Sequence, residues 1–502
     1  AGTGPFFTPL TQSAAVAPPD HPNEIAHPWQ TPGGISQTKL LALNEVEQDV
    51  MQSIQRTDGD GRGNPSGAGA SMFDMLAYSP WGRYIFIPHE TGIGAGVSRY
   101  DSRSGVTELI FAGNESGDRN DVLGDTWEFD YGAFDPARMT PNGTVIAGEE
   151  WSGQGRIVEI MNPFGPAPED PTAGSPTMQP GVDYRELTSI AKVSHEGINF
   201  SISDWNRVIY FIDEDRSGSI YKLVLSEAGD YASGGQTFVL KVNGFTGNPA
   251  ERWDGSGDTD SDTNKDPAVQ ATRFGPATWV PITDEMGSPL EGVKNPFDNS
   301  DVDDSDQCVP IENRCQPAVR PGRVSADDVG GTPYGRPEDM TVGRNHAGRE
   351  ILYVTTTSED AVISIEILGG NRAMVRQFAS PETLKNVGFM PTTARLNSPD
   401  NLAQDALGNI YIIEDAPNSS AEGGDVWFAR DEDNDGVAES IDHFLSLQVA
   451  GSEATGMIFH PSQPTKFVIA VQHPTTTDIE TLGQHGDAVW EFDIANVAPP
   501  MC

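Results

Sequence analysis

The chain is short of basic residues, of cysteine, of helical periodicity and of any long apolar run, and each shortage closes a class of function. Lys and Arg number 31 against 74 Asp and Glu, a formal net charge of −43. A surface of that sign repels nucleic acid and anionic membranes and makes cations the natural partners. No stretch approaches the roughly 18 consecutive apolar residues of a membrane helix. The sequence opens AGTGPFFTPLTQSA, with neither the charged region nor the apolar core of a signal peptide. The expectation is a soluble protein in its mature form, working outside the cytoplasm, in the periplasm, in the medium or at the cell surface. Nucleophile and phosphate-loop motifs are also missing: there is no G-x-S-x-G and no G-x-x-x-x-G-K-[ST].

Of the three cysteines, Cys308 and Cys315 lie close together in CVPIENRC, and Cys502 is terminal. Neither of the first two belongs to a C-x-x-C metal pattern. A disulfide between them would restrain a Pro- and Asp-rich loop and suit an oxidising compartment, with two unpaired surface thiols as the plain alternative.

What the chain does have is strands. Short β-branched and aromatic runs, bounded by Gly, Asn, Asp and Pro, recur along its whole length, which points to an all-β fold. Six stretches share one plan of apolar strand, tight turn, second apolar strand, acidic or polar end, and third strand. They begin MLAYSPWGRYIFIPHE, YGAFDPARMTPNGTVIAGEE, SHEGINFSISDWNRVIYFIDED, RPEDMTVGRNHAGREILYVTTTSED, SPDNLAQDALGNIYIIEDA and SEATGMIFHPSQPTKFVIAVQHP. The expected architecture is a six-bladed β-propeller. Residues 1–45 read as a surface arm and 46–502 as a single propeller domain. An acidic insertion at about 225–330, with DGSGDTDSDTNKDP and DNSDVDDSDQ, separates the third and fourth repeats.

The repeat also places the acids. The first two strands of each repeat are antiparallel, so the start of one and the end of the other share an edge. Strand starts carry Glu196, Glu338, Asp400 and Glu453. Strand ends carry Glu90, the pair Glu149 and Glu150, the run Asp213, Glu214 and Asp215, and Glu414 with Asp415. With first strands lining a channel, these carboxylates converge on one mouth, where like charges need cations or shifted pKa values. Turn chemistry alone would account for one or two of them. His89, His195 and His473 stand beside mouth positions as ligands or as hydrogen-bonding supports. Arg336, in RPEDM, is a cation among carboxylates. It either neutralises Glu338 or holds an anionic substrate group in its planar fork.

A separate signal is DEDNDGVAESID, where Asp431, Asp433 and Asp435 alternate ahead of Gly436, with Asp442 at the twelfth position. This is the pattern of an EF-hand-like calcium loop, and its place away from the mouth makes that calcium structural. RTDGDGRGNPSG (56–67) is a weaker version without the twelfth acid.

With these residues in view, the chain resembles the PhoX-type bacterial alkaline phosphatases, secreted propeller enzymes that use calcium and iron. The likeness runs from about residue 70 to 475. It rests on PHE (88–90), GTVIAGEE, SHEG (194–197), DEDRSGSIYKLV (213–224), RFGPATWVP, VSADDVGGTPYGRPEDM, SPDNLA and EATG…VQHP. The resemblance implies that metals are held by Glu90, Glu196, Glu338, Asp400 and the Asp213–Glu214 region, and that Arg336 contacts substrate phosphate. The implied reaction is hydrolysis of a phosphate monoester, with clustered metals polarising phosphoryl oxygens. Where that family places an iron-binding cysteine before the paired acids, this chain has Gly148. Calcium needs only oxygen donors, whereas iron that depended on a thiolate would lose affinity, so calcium is the expected cofactor and iron a doubtful one. The expected partners are metal ions and a phosphate ester, with no nucleic acid and no membrane span; self-association is left open. Two other readings stand beside the phosphatase: a non-catalytic calcium-binding extracellular propeller with a structural or assembly role, and a calcium-dependent lactonase-like hydrolase.

Overall fold

The computed structural model describes residues 5–43, 45–46, 72–117, 127–151, 154–175, 181–253, 264, 266–298, 309–311, 314–316, 321–475 and 486–497. Within them strands dominate, and no helix is long and apolar enough to cross a membrane. The cysteine pairing, the 56–67 segment and most of the two acid-rich runs lie outside the described residues.

The strands form antiparallel sheets that follow chain order. The first is built from Ala77–Tyr78, Tyr84–Pro88, Gly96–Asp101 and Val106–Ala112, and the second from Phe134–Met139, Val145–Glu149, Ile157–Ile160 and Tyr184–Glu186. A nine-stranded sheet follows. It runs from Ile198–Phe200 through Val208–Ile212, Ile220–Leu225 and Gly235–Val242, crosses Gly275–Pro281, and returns through Arg372–Ala379, Ala361–Gly369 and Glu350–Thr356 to Pro337–Arg344. The next sheet holds Pro399–Gln404, Ile410–Glu414, Gly424–Arg430 and Ser440–Leu447, and the last holds Glu453–Phe459, Lys466–Gln472 and Ala488–Asp493. The opening strands Ala77–Tyr78, Phe134–Met139, Ile198–Phe200, Pro337–Arg344, Pro399–Gln404 and Glu453–Phe459 lie against one another in that cyclic order, and the last returns to the first. The arrangement is all-β and propeller-like.

The sequence pattern explains the layering. Second strands such as YIFIP, VIYFI and IYIIE are nearly continuous apolar runs, because neighbouring sheets cover both of their faces. Outer strands alternate, as in Arg372–Ala379, where exposed and buried positions interleave. Side chains fill the spaces between sheets, as where the cross-strand pair Phe211 and Tyr221, stacked at 4.9 Å, shares a core cluster with Ile146 and Ile157 of the preceding sheet. Each large apolar side chain buried there contributes about 1.5–3 kcal/mol, which lets the fold carry a mouth that costs stability.

Two segments differ from their expected roles. The N-terminal stretch is not only a surface arm: Trp29–Gln30 pairs with Ser440–Leu447, and Ser36–Ala42 pairs with Ala488–Asp493 as the outer strand of the last sheet. The span 225–330 is not wholly an acidic loop. Its apolar runs TFVLKV and ATWVP become Gly235–Val242 and Gly275–Pro281, and the latter strand pairs on both sides, leaving neither neighbour as a free edge. Packing of these short β-rich runs outweighed the acidic composition around them.

Candidate metal centre

Three of the opening strands carry an irregularity where they reach the mouth. The register of Phe134–Met139 against its neighbour shifts between Phe134 and Ala137, that of Pro337–Arg344 between Pro337 and Met340, and that of Pro399–Gln404 between Pro399 and Asn401. Each shift contains an acid: Asp135, Glu338 and Asp400. A bulge puts an extra residue on one strand and re-aims its side chain, so alternation is broken where the carboxylates turn inward. The residue just before each of these strands, Ala133, Arg336 and Ser398, also has a left-handed backbone, with φ of 52°, 53° and 43°. Non-glycine residues rarely adopt this conformation, and in folded proteins it concentrates at functional sites.

The result is a cavity of about 230 Å³ lined by Asp74, Glu90, Asp135, Glu150, Glu196, Arg336, Glu338, Asp400, Asp415, Glu453, Ala454 and Thr455. Carboxylate oxygens of Glu196, Glu338 and Asp400 come within 4.8 Å of one another. Glu338 is fully buried, yet neither of its oxygens accepts a hydrogen bond of ordinary geometry; Nη2 of Arg336 stands 3.2 Å from Oε1 as an ion pair. Asp135 Oδ1 is likewise buried without a partner. Around them, Asp74 accepts from Thr455 and, at 2.8 Å, from Gln472 Nε2, which also donates to Glu90 at 3.1 Å. Asn401 donates to Asp400 at 2.6 Å.

Burial, and then the charge of neighbouring carboxylates, pushes Asp74, Asp135, Glu196 and Asp400 well above the carboxylate range, and burial raises Glu338 despite Arg336. Burial and Glu453 push Asp415 up to about 9. Burial would raise Glu453 too, but the His473 imidazolium 3.5 Å away, with hydrogen bonds from Asp415 and His473, takes it down to about 2. The same pairing lifts His473, against burial, to about 10. Without a cation, these carboxylates can share the cavity only by holding protons.

Orphaned buried oxygens, an all-oxygen set of carboxylates and Thr455, and convergence within a few ångströms fit a hard cation such as calcium. They do not provide a thiolate site. A Cβ added at Gly148 would lie 2.9 Å from His195 Cβ and 3.2 Å from Pro136 Cγ, so the space a cysteine would need is already filled.

Several expected residues are elsewhere. Glu149 lies outside the cavity: Arg156 Nε and Nη2 engage it at 2.7 and 2.9 Å, Gly132 N donates at 2.9 Å, and its neighbour Glu150 faces the mouth instead. Asp213 is spent on Arg323, and Glu214 meets Arg336 Nε. His89 Nε2 bonds Ser98 at 2.9 Å, and His195 is buried with Nδ1 unpartnered, its pKa lowered by burial to about 3. In the separate loop, Asp431, Asp433 and Glu439 bring oxygens within 4.8 Å of one another. Asp435 accepts from Val437 N at 2.9 Å, and Asp442 is tied to Arg430 at 2.7 and 2.9 Å, so Glu439 stands where the twelfth-position acid was expected. Asp74 and Asp135 were not singled out from the sequence. They enter the first two repeats as Glu338 and Asp400 enter the fourth and fifth, and aligning MFDML and AFDPARM with SPDNLA would have found them.

A family model described as alkaline phosphatase PhoX matches residues 175–377 and 371–475, more than half of the chain. No curated protein matches its sequence. Among solved structures, PhoX of Pseudomonas fluorescens in complex with vanadate, a transition state analogue, is similar over 98% of this chain and 99% of its own, with a TM-score of 0.57 and 14% identity. A PQQ-bound aldose sugar dehydrogenase of Streptomyces coelicolor (92% and 99% covered, TM-score 0.39, 12% identity) and a gluconolactonase of Xanthomonas campestris (98% and 99%, 0.40, 10%) are more distant. The first likeness establishes a shared fold, and no argument follows from the other two.

Proposed function

The chain belongs to the PhoX alkaline phosphatase family, and from that premise we propose that it is an extracytoplasmic, calcium-dependent phosphomonoesterase whose site is the acidic mouth. The observation that carries this reading is Glu338, a fully buried carboxylate whose oxygens accept no hydrogen bond of ordinary geometry, beside Arg336 and within reach of Glu196 and Asp400. A buried charge left in that state is costly unless an ion completes it. Glu196, Glu338 and Asp400 would hold one cation, with Glu90, Glu150, Asp135, Asp74 and Glu453 available for others. When bound, such ions polarise phosphoryl oxygens and offset the charge developing on them. Arg336 supplies the fixed cationic fork for the phosphoryl group. The cavity wall is almost entirely polar and small, which admits a phosphoryl group and leaves the ester's organic part outside.

The nine-stranded sheet reads as two four-stranded blades joined through Gly275–Pro281, which gives six blades in all. The loop of Asp431, Asp433 and Glu439 is a second, structural calcium site. For the mouth, the test is hydrolysis of an aryl phosphate by calcium-loaded protein, with metal analysis of the protein as isolated. Wild type should turn over, and Arg336→Ala should lose roughly 10²–10³-fold in kcat/KM, as removal of a transition-state donor does. Equal activity in the mutant, or no turnover in wild type with calcium present, would overturn the proposal.

A further inference from the structure

Asp213, Glu214 and Asp215 follow directly on the strand Val208–Ile212, and the structure divides the three acids between two arginines. Arg323, from the helix Pro321–Asp328, donates to Asp213 through Nε at 2.6 Å and Nη2 at 2.7 Å, and its Nη1 stands 2.9 Å from Asp215 Oδ2. All three side chains are buried. Asp213 Oδ1 also accepts Ser194 N at 3.1 Å, so both of its oxygens are committed away from the cavity. Glu214, between the clamped pair, turns the other way and accepts from Arg336 Nε. The backbone repeats the link: Arg336 N donates to the Asp215 carbonyl at 2.9 Å, and Thr357 N to the Arg336 carbonyl at 3.0 Å.

We propose that Glu214 and Arg323 are positioning residues for Arg336: Arg323 locks the acidic turn, and the turn aims the guanidinium at the phosphoryl group. This deepens the phosphatase reading and rests on it. An arginine side chain has many rotamers, and ordering it only when substrate arrives would cost binding and rate. Here Nε is fixed by Glu214 and Nη2 by Glu338, which holds the guanidinium at the wall of the cavity that Arg336 lines, where it can meet an anion. The buried Arg323 cluster is weak evidence of stabilisation, since desolvating three charges offsets their attraction. Its geometry is what it contributes.

The sign of one measurement separates positioning from simple electrostatics. Removing the Glu214 charge should, by Coulomb's law alone, tighten an anion nearby; loss of positioning should weaken it. Binding of inorganic phosphate to the calcium-loaded full chain is followed by titration calorimetry, with bound calcium determined in parallel. Glu214→Gln is expected to weaken phosphate about tenfold, to leave the calcium content unchanged, and to add nothing further in an Arg336→Ala background. Arg323→Lys, which keeps the charge but not the fork, should weaken phosphate in the same direction. If Arg323→Lys does not fold, Glu214→Gln decides alone, because that side chain lies at the partly exposed rim. Phosphate affinity that is unchanged or tighter in Glu214→Gln, or loss of a calcium ion, overturns the inference while leaving the phosphatase reading intact. Unchanged affinity in Arg336→Ala overturns the phosphatase reading, and this inference falls with it.

Discussion

Gly148 shows how much one missing side chain can decide. In the sequence it stands where the resemblance implies an iron-binding cysteine; in the structure it is a place where the second repeat lies close against the third. A Cβ there would meet His195 Cβ at 2.9 Å, a backbone-anchored atom that cannot swing aside. Gly148→Ala and Gly148→Cys should therefore each destabilise the protein by about 1–3 kcal/mol through overpacking, read from urea midpoints. Gly148→Cys protein made in iron-rich medium should carry no more iron than wild type. A Gly148→Cys protein of unchanged stability that binds iron stoichiometrically would refute the packing argument. The residues around this position also show what a sequence discloses about a site. Glu196, Glu338, Asp400 and Glu453 were legible because they recur at one position in a repeat. The separation of Glu149 from Glu150 was not, because it depends on Arg156, whose fork meets Glu149 only in the folded protein.

Among the elements, three of the opening strands combine regular pairing at one end with bulged entry at the other, and the bulged end carries the acids. Ser398 illustrates the backbone requirement. Its φ of 43° precedes Pro399, its N–H donates to Asp360 at 2.8 Å, and its carbonyl accepts Asp415 N at 2.9 Å, so the conformation is fixed from both sides. A β-branched residue is poorly tolerated there, whereas glycine is not strained. Ser398→Val should cost about 1–2 kcal/mol and Ser398→Gly less than about 1 kcal/mol, measured by chemical denaturation. The reverse order would show that the side chain, not the backbone, matters at this position. The propeller-like arrangement was legible at this scale because six apolar hairpins recur with tight turns between them. The bulges were not, since a one-residue register shift leaves no trace in an apolar pattern. Nor was the strand Gly275–Pro281, a single β-rich run in an acidic surround, or the use of Ser36–Ala42 to complete the last sheet, which pairs residues from opposite ends of the chain.

Across the whole molecule, two kinds of negative charge must be distinguished. Part of the −43 lies on exposed side chains such as Asp204, Glu227 and Glu285, where salt screens repulsion beyond about 8 Å at physiological ionic strength. The acids of the mouth are buried or half-buried, and screening reaches them less. The two make opposite forecasts for a chelated protein. If removing calcium merely unmasks general surface repulsion, roughly 1 M sodium chloride, which shortens the screening length to about 3 Å, should restore the melting temperature. If calcium completes the mouth, salt should recover little and calcium nearly all of it. A site saturated a hundredfold above its Kd contributes about 2.7 kcal/mol per ion, so chelation should lower Tm by several degrees. The Glu196→Gln/Asp400→Asn double variant should show a smaller chelator-induced drop than wild type, because fewer like charges then depend on the ion. Thermal melts of both proteins, with chelator, with chelator and salt, and with calcium restored, make the comparison. Full rescue by salt alone would assign the effect to the surface and remove the mouth from it.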